Sequence, residues 1–243
     1  MQKLILTSLI LVVCLSANAQ ITKPEVTEVW EPEPRVVTAT KNNAPPSDAI
    51  VLFDGSHTSE WTNMEGGSPG WKIENGVLTV LKGTGDIKTR RSFGDIQLHL
   101  EFRTPAVVEG EGQGRGNSGL FFQQRYEVQI LDSYQNRTYS NGQAGAIYKQ
   151  YPPLVNASRP PGEWQTYDIV FIAPRFNKDG VRTSTGQLTV FHNGVLIHHA
   201  AQVQGTTEYI GMPKNIAHGP APIQLQDHGN PVSYRNIWVR ELE

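Results

Sequence analysis

Between Asp95 and Arg103 polar and apolar residues alternate without a break. Ile96, Leu98, Leu100 and Phe102 fall on one face of an extended chain, and Gln97, His99, Glu101 and Arg103 on the other. A helix cannot use that spacing, because a period of two scatters the apolar residues around its circumference. The rest of the sequence agrees, with no helical period of useful length and no internal repeat. Short apolar runs sit between turn signals instead: Ala49 to Phe53 before Asp54 and Gly55, and Trp71 to Val80 folded about Asn75 and Gly76. Trp164 to Ile172 follows, then Gly186 to His199 folded about Asn193 and Gly194, then Ala221 to Gln226 and Val232 to Val239. Asn-Gly is the pair that a two-residue hairpin turn requires, since both central positions need positive φ. Roughly eleven strands of this kind predict an all-β fold, a two-sheet antiparallel jelly-roll sandwich.

Composition sets the surroundings. Lys3, the apolar run Leu4 to Leu15 and the small residues Ala17 and Ala19 predict a signal peptide over residues 1–19, with export to the periplasm or the cell exterior. The apolar run is too short to span a bilayer in a mature protein. Cys14 follows Val13, not the small residue expected of a lipoprotein signal, and cleavage near Ala19 removes this one cysteine. The mature chain then relies on its core rather than on disulfides. The charge is −2 and becomes −3 without the leader, because one Lys leaves and 20 basic residues face 23 acidic ones. That balance favours neither nucleic acid nor a membrane surface as partner. Residues 20–47, with Pro24, Pro32, Pro34, Pro45 and Pro46, predict an extended linker or arm, and residues 48–243 a single domain. The number of copies that assemble is left open.

One stretch carries chemistry. Gly110, Gly112, Gly114, Gly116 and Gly119 lead into a strand in which Tyr126, Val128 and Ile130 alternate with Arg125, Glu127 and Gln129. A Glu and a Gln on the second face suit a sugar-binding cleft. Gly114 to Gly119 fits the G-x-G-x-x-G pattern, but a β-branched and aromatic run follows it where a dinucleotide site needs a helix. Glu127, Gln129 and Asp132 echo the E-x-D-x-x-E strand of sandwich-fold glycanases. Gln129 replaces the middle acid and Asp132 the last, which leaves a retaining carboxylate pair, about 5 Å apart in such enzymes, harder to build. The face of Glu101 and Arg103 reads either as solvent or as the wall of the same groove.

Later segments add candidates. Asn136 to Pro161 is a long connection with Tyr139, Tyr148 and Tyr151, whose rings either face sugar or pin the loop to the body. Gln224, Gln226 and His228 share one face of the run QLQDHGN, and His228 can move a proton near neutrality. His192, His198 and His199 lie at a hairpin and read as solvated or edge residues. No spacing forms a closed zinc site.

Several motifs resemble one family. LFDG (52–55), WKIENGVLTV (71–80), GNSGLFFQ (116–123), YEVQILDSY (126–134), GEWQTYDI (162–169), QDHGNPV (226–232) and RNIWVREL (235–242) are similar, in order, to the 3-keto-disaccharide hydrolase family, once a domain of unknown function. The resemblance implies a concanavalin-like jelly roll, export and action on carbohydrate. It implies cleavage of 3-keto-glycosides by β-elimination, with water adding back to complete a net hydrolysis. On that expectation Glu127 or His228 is the base, and Asp132 or Glu101 supports an acid or metal role. Arg103, Asn117, Gln129 and Arg235 are donors, while Tyr148 and Gln226 line the substrate. A divalent ion is a possible cofactor, with Glu127 and His228 as its ligands. A non-catalytic carbohydrate-binding module and a conventional glycosidase using Glu127 and Asp132 are the alternatives.

Overall fold

The computed structural model describes residues 23–242 apart from 39, 40 and 42. The signal peptide predicted over residues 1–19 lies outside the described residues. The chain divides into two compact units, Met1–Val36 and Val37–Glu243. The described part of the first is exposed and holds one 3₁₀ turn, Pro24–Thr27. The boundary at Val37 lies ahead of the one read from the sequence at residue 48. Asn43, in the segment read as an arm, is held by the sandwich: its carbonyl accepts from Trp238 and Asn236.

Two antiparallel sheets make up the second unit. The larger contains β1 (Ile50–Phe53), β3 (Lys72–Glu74), β4 (Val77–Thr79), β6 (Ile96–Arg103), β9 (Gln165–Ile172), β12 (Gln187–His192), β13 (Val195–Gln202) and β15 (Ser233–Glu241). Its order is β13-β12-β9-β6-β15-β4-β3, with β1 also on β15. The smaller contains β2 (Trp61–Asn63), β5 (Ile87–Thr89), β7 (Ser118–Phe122), β8 (Tyr126–Ile130) and β14 (Gln224–Leu225), in the order β2-β5-β14-β7-β8. A separate ribbon joins β10 (Arg175–Phe176) and β11 (Arg182–Ser184). The all-β sandwich read from alternation is present. Residues 221–226 and 232–239, adjacent in sequence, serve opposite sheets.

The core is where the period of two predicts it. Ile96, Leu98, Leu100 and Phe102 are buried with Leu120, Phe122, Val128 and Ile130 in one apolar cluster. Burying side chains of this size stabilises by about 1.5–3 kcal/mol each before the entropy cost of ordering them. Both Asn-Gly turns form as expected, with φ of 51° and 77° at Asn75 and Gly76, and 52° and 78° at Asn193 and Gly194. No helix among the described residues is long and apolar enough to cross a membrane.

The hairpin histidines differ from expectation. His192 Nε2 donates to Gln165 Oε1 at 2.8 Å, His198 Nε2 donates to the Gly145 carbonyl at 2.8 Å, and both residues are buried. His198 thereby ties the long connection by its backbone and His192 ties the Gln165 side chain, so of the three only His199 is exposed. Burial holds both imidazoles below their ordinary range, His192 down to about 4, and keeps them neutral.

Candidate active site

The long connection is not structureless. It zips onto the outer edge of β8: Gly145 N donates to the Gln129 carbonyl, Gln129 N to Ala146 O and Tyr148 N to Glu127 O. This edge pairing satisfies backbone groups that β8 would otherwise leave open, and it hangs Tyr139 and Tyr148 over the outer face of the small sheet. The result is a cavity of about 660 Å³ whose wall includes Asn117, Glu127, Gln129, Tyr148, Gln226 and His228.

Its polar residues are held by a network of local bonds. Asp227 accepts from Gly83 N and Gly85 N, and its own N–H donates to Asp86, which fixes the turn carrying His228. Asn117 N donates to Asn230, Ser118 Oγ to the Gln226 carbonyl, and Gln226 N to Gly119 O. Gln129 donates to Gln113, whose own amide reaches Thr138 and Gly142. The side-chain amide of Gln226 has no partner among the described residues and remains free for a ligand.

Glu127 lies at the centre. It is 5 % exposed, and no described side chain or backbone N–H donates to its carboxyl. Burial, helped by the charge of Asp86, pushes that carboxyl up to about 8. Gly119 on the neighbouring strand makes the space. A Cβ there would sit 2.7 Å from Glu127 Oε1 and 2.6 Å from the Phe121 ring. The glycine is therefore read as a requirement of the carboxyl itself.

The tyrosines form the rim. Tyr139 and Tyr148 share a 2.6 Å hydrogen bond between their hydroxyls, which leaves one hydroxyl proton to donate elsewhere. Burial raises both phenols, so they stay protonated at neutral pH. Lys149 places its ammonium 4.4 Å from the centre of the Tyr209 ring and bonds the Tyr209 carbonyl. It also lines the cavity and is the cation among the described lining residues.

The profile of the 3-keto-alpha-glucoside-1,2-lyase-like domain matches residues 48–240. The chain belongs to that family. A solved structure of a candidate glycosyl hydrolase from Parabacteroides distasonis is 50% identical at a TM-score of 0.88, covering 90% of this chain and 97% of that one. Two further candidate glycosyl hydrolases of the same organism are 20% and 22% identical, at TM-scores of 0.60 and 0.56. They cover 81% and 80% of this chain and 94% and 99% of their own, and at that identity they attest the fold alone. No curated protein matches the chain. The family places it among carbohydrate-active enzymes.

In this member of the 3-keto-alpha-glucoside-1,2-lyase-like family the residues singled out by sequence separate into three places. Glu127, His228, Asn117, Gln129, Tyr148 and Gln226 meet in the cavity. Asp132 does not join them. It has the parity of Tyr126, Val128 and Ile130 and lies past the strand end, where it pairs with Arg115 at 2.7 Å in a separate small pocket. Glu101, Arg103 and Arg235 lie on the outer face of the large sheet, across the sandwich from Glu127, because inward Leu100 and Phe102 send their neighbours outward. Of the two readings of the Glu101 face, a groove shared with Glu127 does not form: the two residues line separate cavities on separate sheets.

Sequence reasoning missed Gln113, Phe121, Lys149, Thr207 and Tyr209. The distant loop around Tyr209 gave no signal, since only folding brings Thr207 N onto Arg125 O beside β8. Lys149, next to Tyr148, could have been found from its position in the connection. For a divalent ion the cavity offers Glu127 and His228, and no group of three His, Cys, Asp or Glu side chains gathers among the described residues. That donor set falls short of the three protein ligands of a catalytic zinc site. The chemistry below rests on side chains alone.

Proposed function

We propose that the cavity cleaves 3-keto-glycosides by β-elimination, with Glu127 as the base. The observation that carries this reading is a single buried carboxyl without hydrogen-bond partners, raised to about 8, in a cavity that an imidazole also lines. A hydrogen α to a ketone is a weak acid, and a carboxylate of raised pKa is a stronger base toward it than an ordinary one. A two-carboxylate glycosidase needs a second acid facing the same bond, and Glu127 is the one carboxyl among the described lining residues.

Glu127 removes H2, and the C2–H pair shifts into a C2–C3 double bond while the C3 carbonyl becomes an enolate. The enolate collapses, C1–O breaks, and His228 in its protonated form gives a proton to the departing oxygen. Water then adds across C1–C2 of the unsaturated ketone, which returns a 3-keto-sugar and completes a net hydrolysis. The Gln226 amide, the free Tyr139/Tyr148 hydroxyl proton and the Lys149 charge supply donors for the enolate. Asn117 and Gln129 have part of their donor capacity committed to Gln113 and serve to shape the wall.

The test is turnover of an oxidised and an unoxidised disaccharide, each with and without chelator. Cleavage restricted to the 3-keto sugar and reduced about 10²- to 10⁴-fold in Glu127→Gln supports the base assignment. Unchanged turnover in that variant removes Glu127 from the mechanism, and equal cleavage of the unoxidised sugar removes the elimination. Binding of either sugar without cleavage makes the domain a binding module.

A further inference from the structure

The outer face of the large sheet carries polar residues that the cavity does not use, and they are built rather than merely solvated. Glu101 faces outward yet is 7 % exposed, accepting from Arg235 Nε at 2.6 Å and from Asn236 at 2.9 Å. His99, beside it, is 1 % exposed and bonds Asp168 through Nδ1 at 2.6 Å. Trp238 stacks on the imidazole with ring centres 5.3 Å apart. The Nε2 atom of His99 is buried without a hydrogen-bond partner, 3.7 Å from Glu101. A bulge in β15 between Arg235 and Trp238, with Asn236 at φ 47°, sets these three side chains over the row. A solvent face would leave its charges mobile; here they are fixed.

Over this layer lies a groove of about 460 Å³, within the range of small-molecule clefts. Trp164 lines it, with the guanidinium carbons of Arg235 and Arg103 at 4.1 and 4.7 Å from its ring centre. Several groups here lack partners among the described residues: the two terminal nitrogens of Arg235, the Trp164 indole N–H, the Thr166 hydroxyl and the second oxygen of Asp168. The mixture selects the ligand. A phosphate or carboxylate, which only accepts, would face Glu101 and Asp168. An amine would face Arg159 and Arg235. A hydroxyl donates and accepts at once, and a ring bearing several of them matches interleaved guanidinium, hydroxyl and carboxylate groups beside an indole.

We infer that this groove is a second carbohydrate site, which binds a neutral sugar unit of a larger glycan and performs no chemistry. Because it lies on the opposite sheet from Glu127, occupancy of one site does not block the other, and a polymer held here raises the local concentration of substrate. The inference stands whether or not the cavity eliminates 3-keto sugars.

Calorimetry of the whole chain with neutral glucose, mannose and galactose hexasaccharides, and with an oligogalacturonate of equal length, tests it. A neutral hexasaccharide binds with a Kd of about 1 mM or tighter. Thr166→Arg, which fills the groove from a strand position, and Trp164→Ala each weaken that binding at least tenfold, while turnover of a small 3-keto-glucoside stays unchanged. Thr166→Arg keeps the test open if Trp164→Ala fails to fold. Binding indifferent to Thr166→Arg, preference for the acidic oligomer, or no binding across the panel overturns the site.

Discussion

Glu101 and Glu127 occupy equivalent places on opposite sheets. Each stands on the outward face of a strand whose other face fills the core, and each is nearly buried, at 7 % and 5 % exposure. Their protonation diverges. For Glu101, burial pushes the carboxyl up, but the hydrogen bonds of Asn236 and Arg235 and the charges of Arg235 and His99 outweigh it and leave the group below its ordinary range. Glu127 has burial and the Asp86 charge acting in one direction and nothing opposing them, which leaves it at about 8. Desolvation is common to both, so partners decide. A carboxylate already satisfied by a guanidinium is a poor base, whereas an unsatisfied one has a basicity that can be used.

The largest effect separates the two by substitution. Glu127→Gln lowers turnover of a 3-keto-glucoside about 10²- to 10⁴-fold and leaves folding intact. Glu101→Gln leaves that turnover within a factor of about two, and it costs about 1–2 kcal/mol in chemical denaturation, a discounted figure because Arg235 is partly open to solvent. Loss of turnover in Glu101→Gln at unchanged stability would erase the distinction between the faces.

A smaller effect probes why the Glu127 carboxyl has room. Gly119→Ala puts a methyl group against Glu127 Oε1 and Phe121, and a misplacement on the order of 1 Å lowers kcat about 10²-fold. Substrate binding, measured in the Glu127→Gln background, changes less than kcat does. Equal kcat in Gly119→Ala and the parent chain would mean that the carboxyl need not stay where the glycine puts it.

How far the sequence reaches differs between fold and site in the same way. The run Ile96 to Arg103 and the Asn75-Gly76 and Asn193-Gly194 turns are local: period and positive φ suffice, and the sandwich follows from them. The site depends on which sheet each strand joins, and alternation carries no such information. Glu101 and Glu127 therefore looked alike, and alternation left a shared groove open as one of two readings. Glu127 and Gln129 were legible because they alternate with an apolar face, and His228 because an imidazole can move a proton near neutrality. The burial of His192 and His198 was not, since it depends on the connection that closes over them from β8. Tyr209 became part of the cavity through a contact between loops about 80 positions apart, and loop closure at that range leaves no periodic trace.

The smallest effect is thermodynamic, and it bears on the same contrast. Below pH 4.5, the ordinary value for Glu, the Glu127 carboxyl is protonated in both folded and unfolded chains. Between there and about 8 the unfolded chain has released a proton that the folded chain still holds, so stability falls as pH rises. Above about 8 both states are ionised and the loss levels off. The slope cannot exceed about 1.4 kcal/mol per pH unit, and water entering through the open cavity reduces the total to about 1–2 kcal/mol. Glu101 has the opposite sign: its lowered carboxyl adds stability that is present above the ordinary value and lost as pH falls below it. Urea denaturation from about pH 3 to pH 9 reads both on one axis, Glu101 at its acid end and Glu127 above pH 4.5. Glu127→Gln gains stability over the parent chain at pH 9 and not at pH 5, because its amide has no proton to lose. If the two chains run parallel across that window, Glu127 ionises as freely when folded as when unfolded, and its basicity is no greater than that of a carboxylate in water.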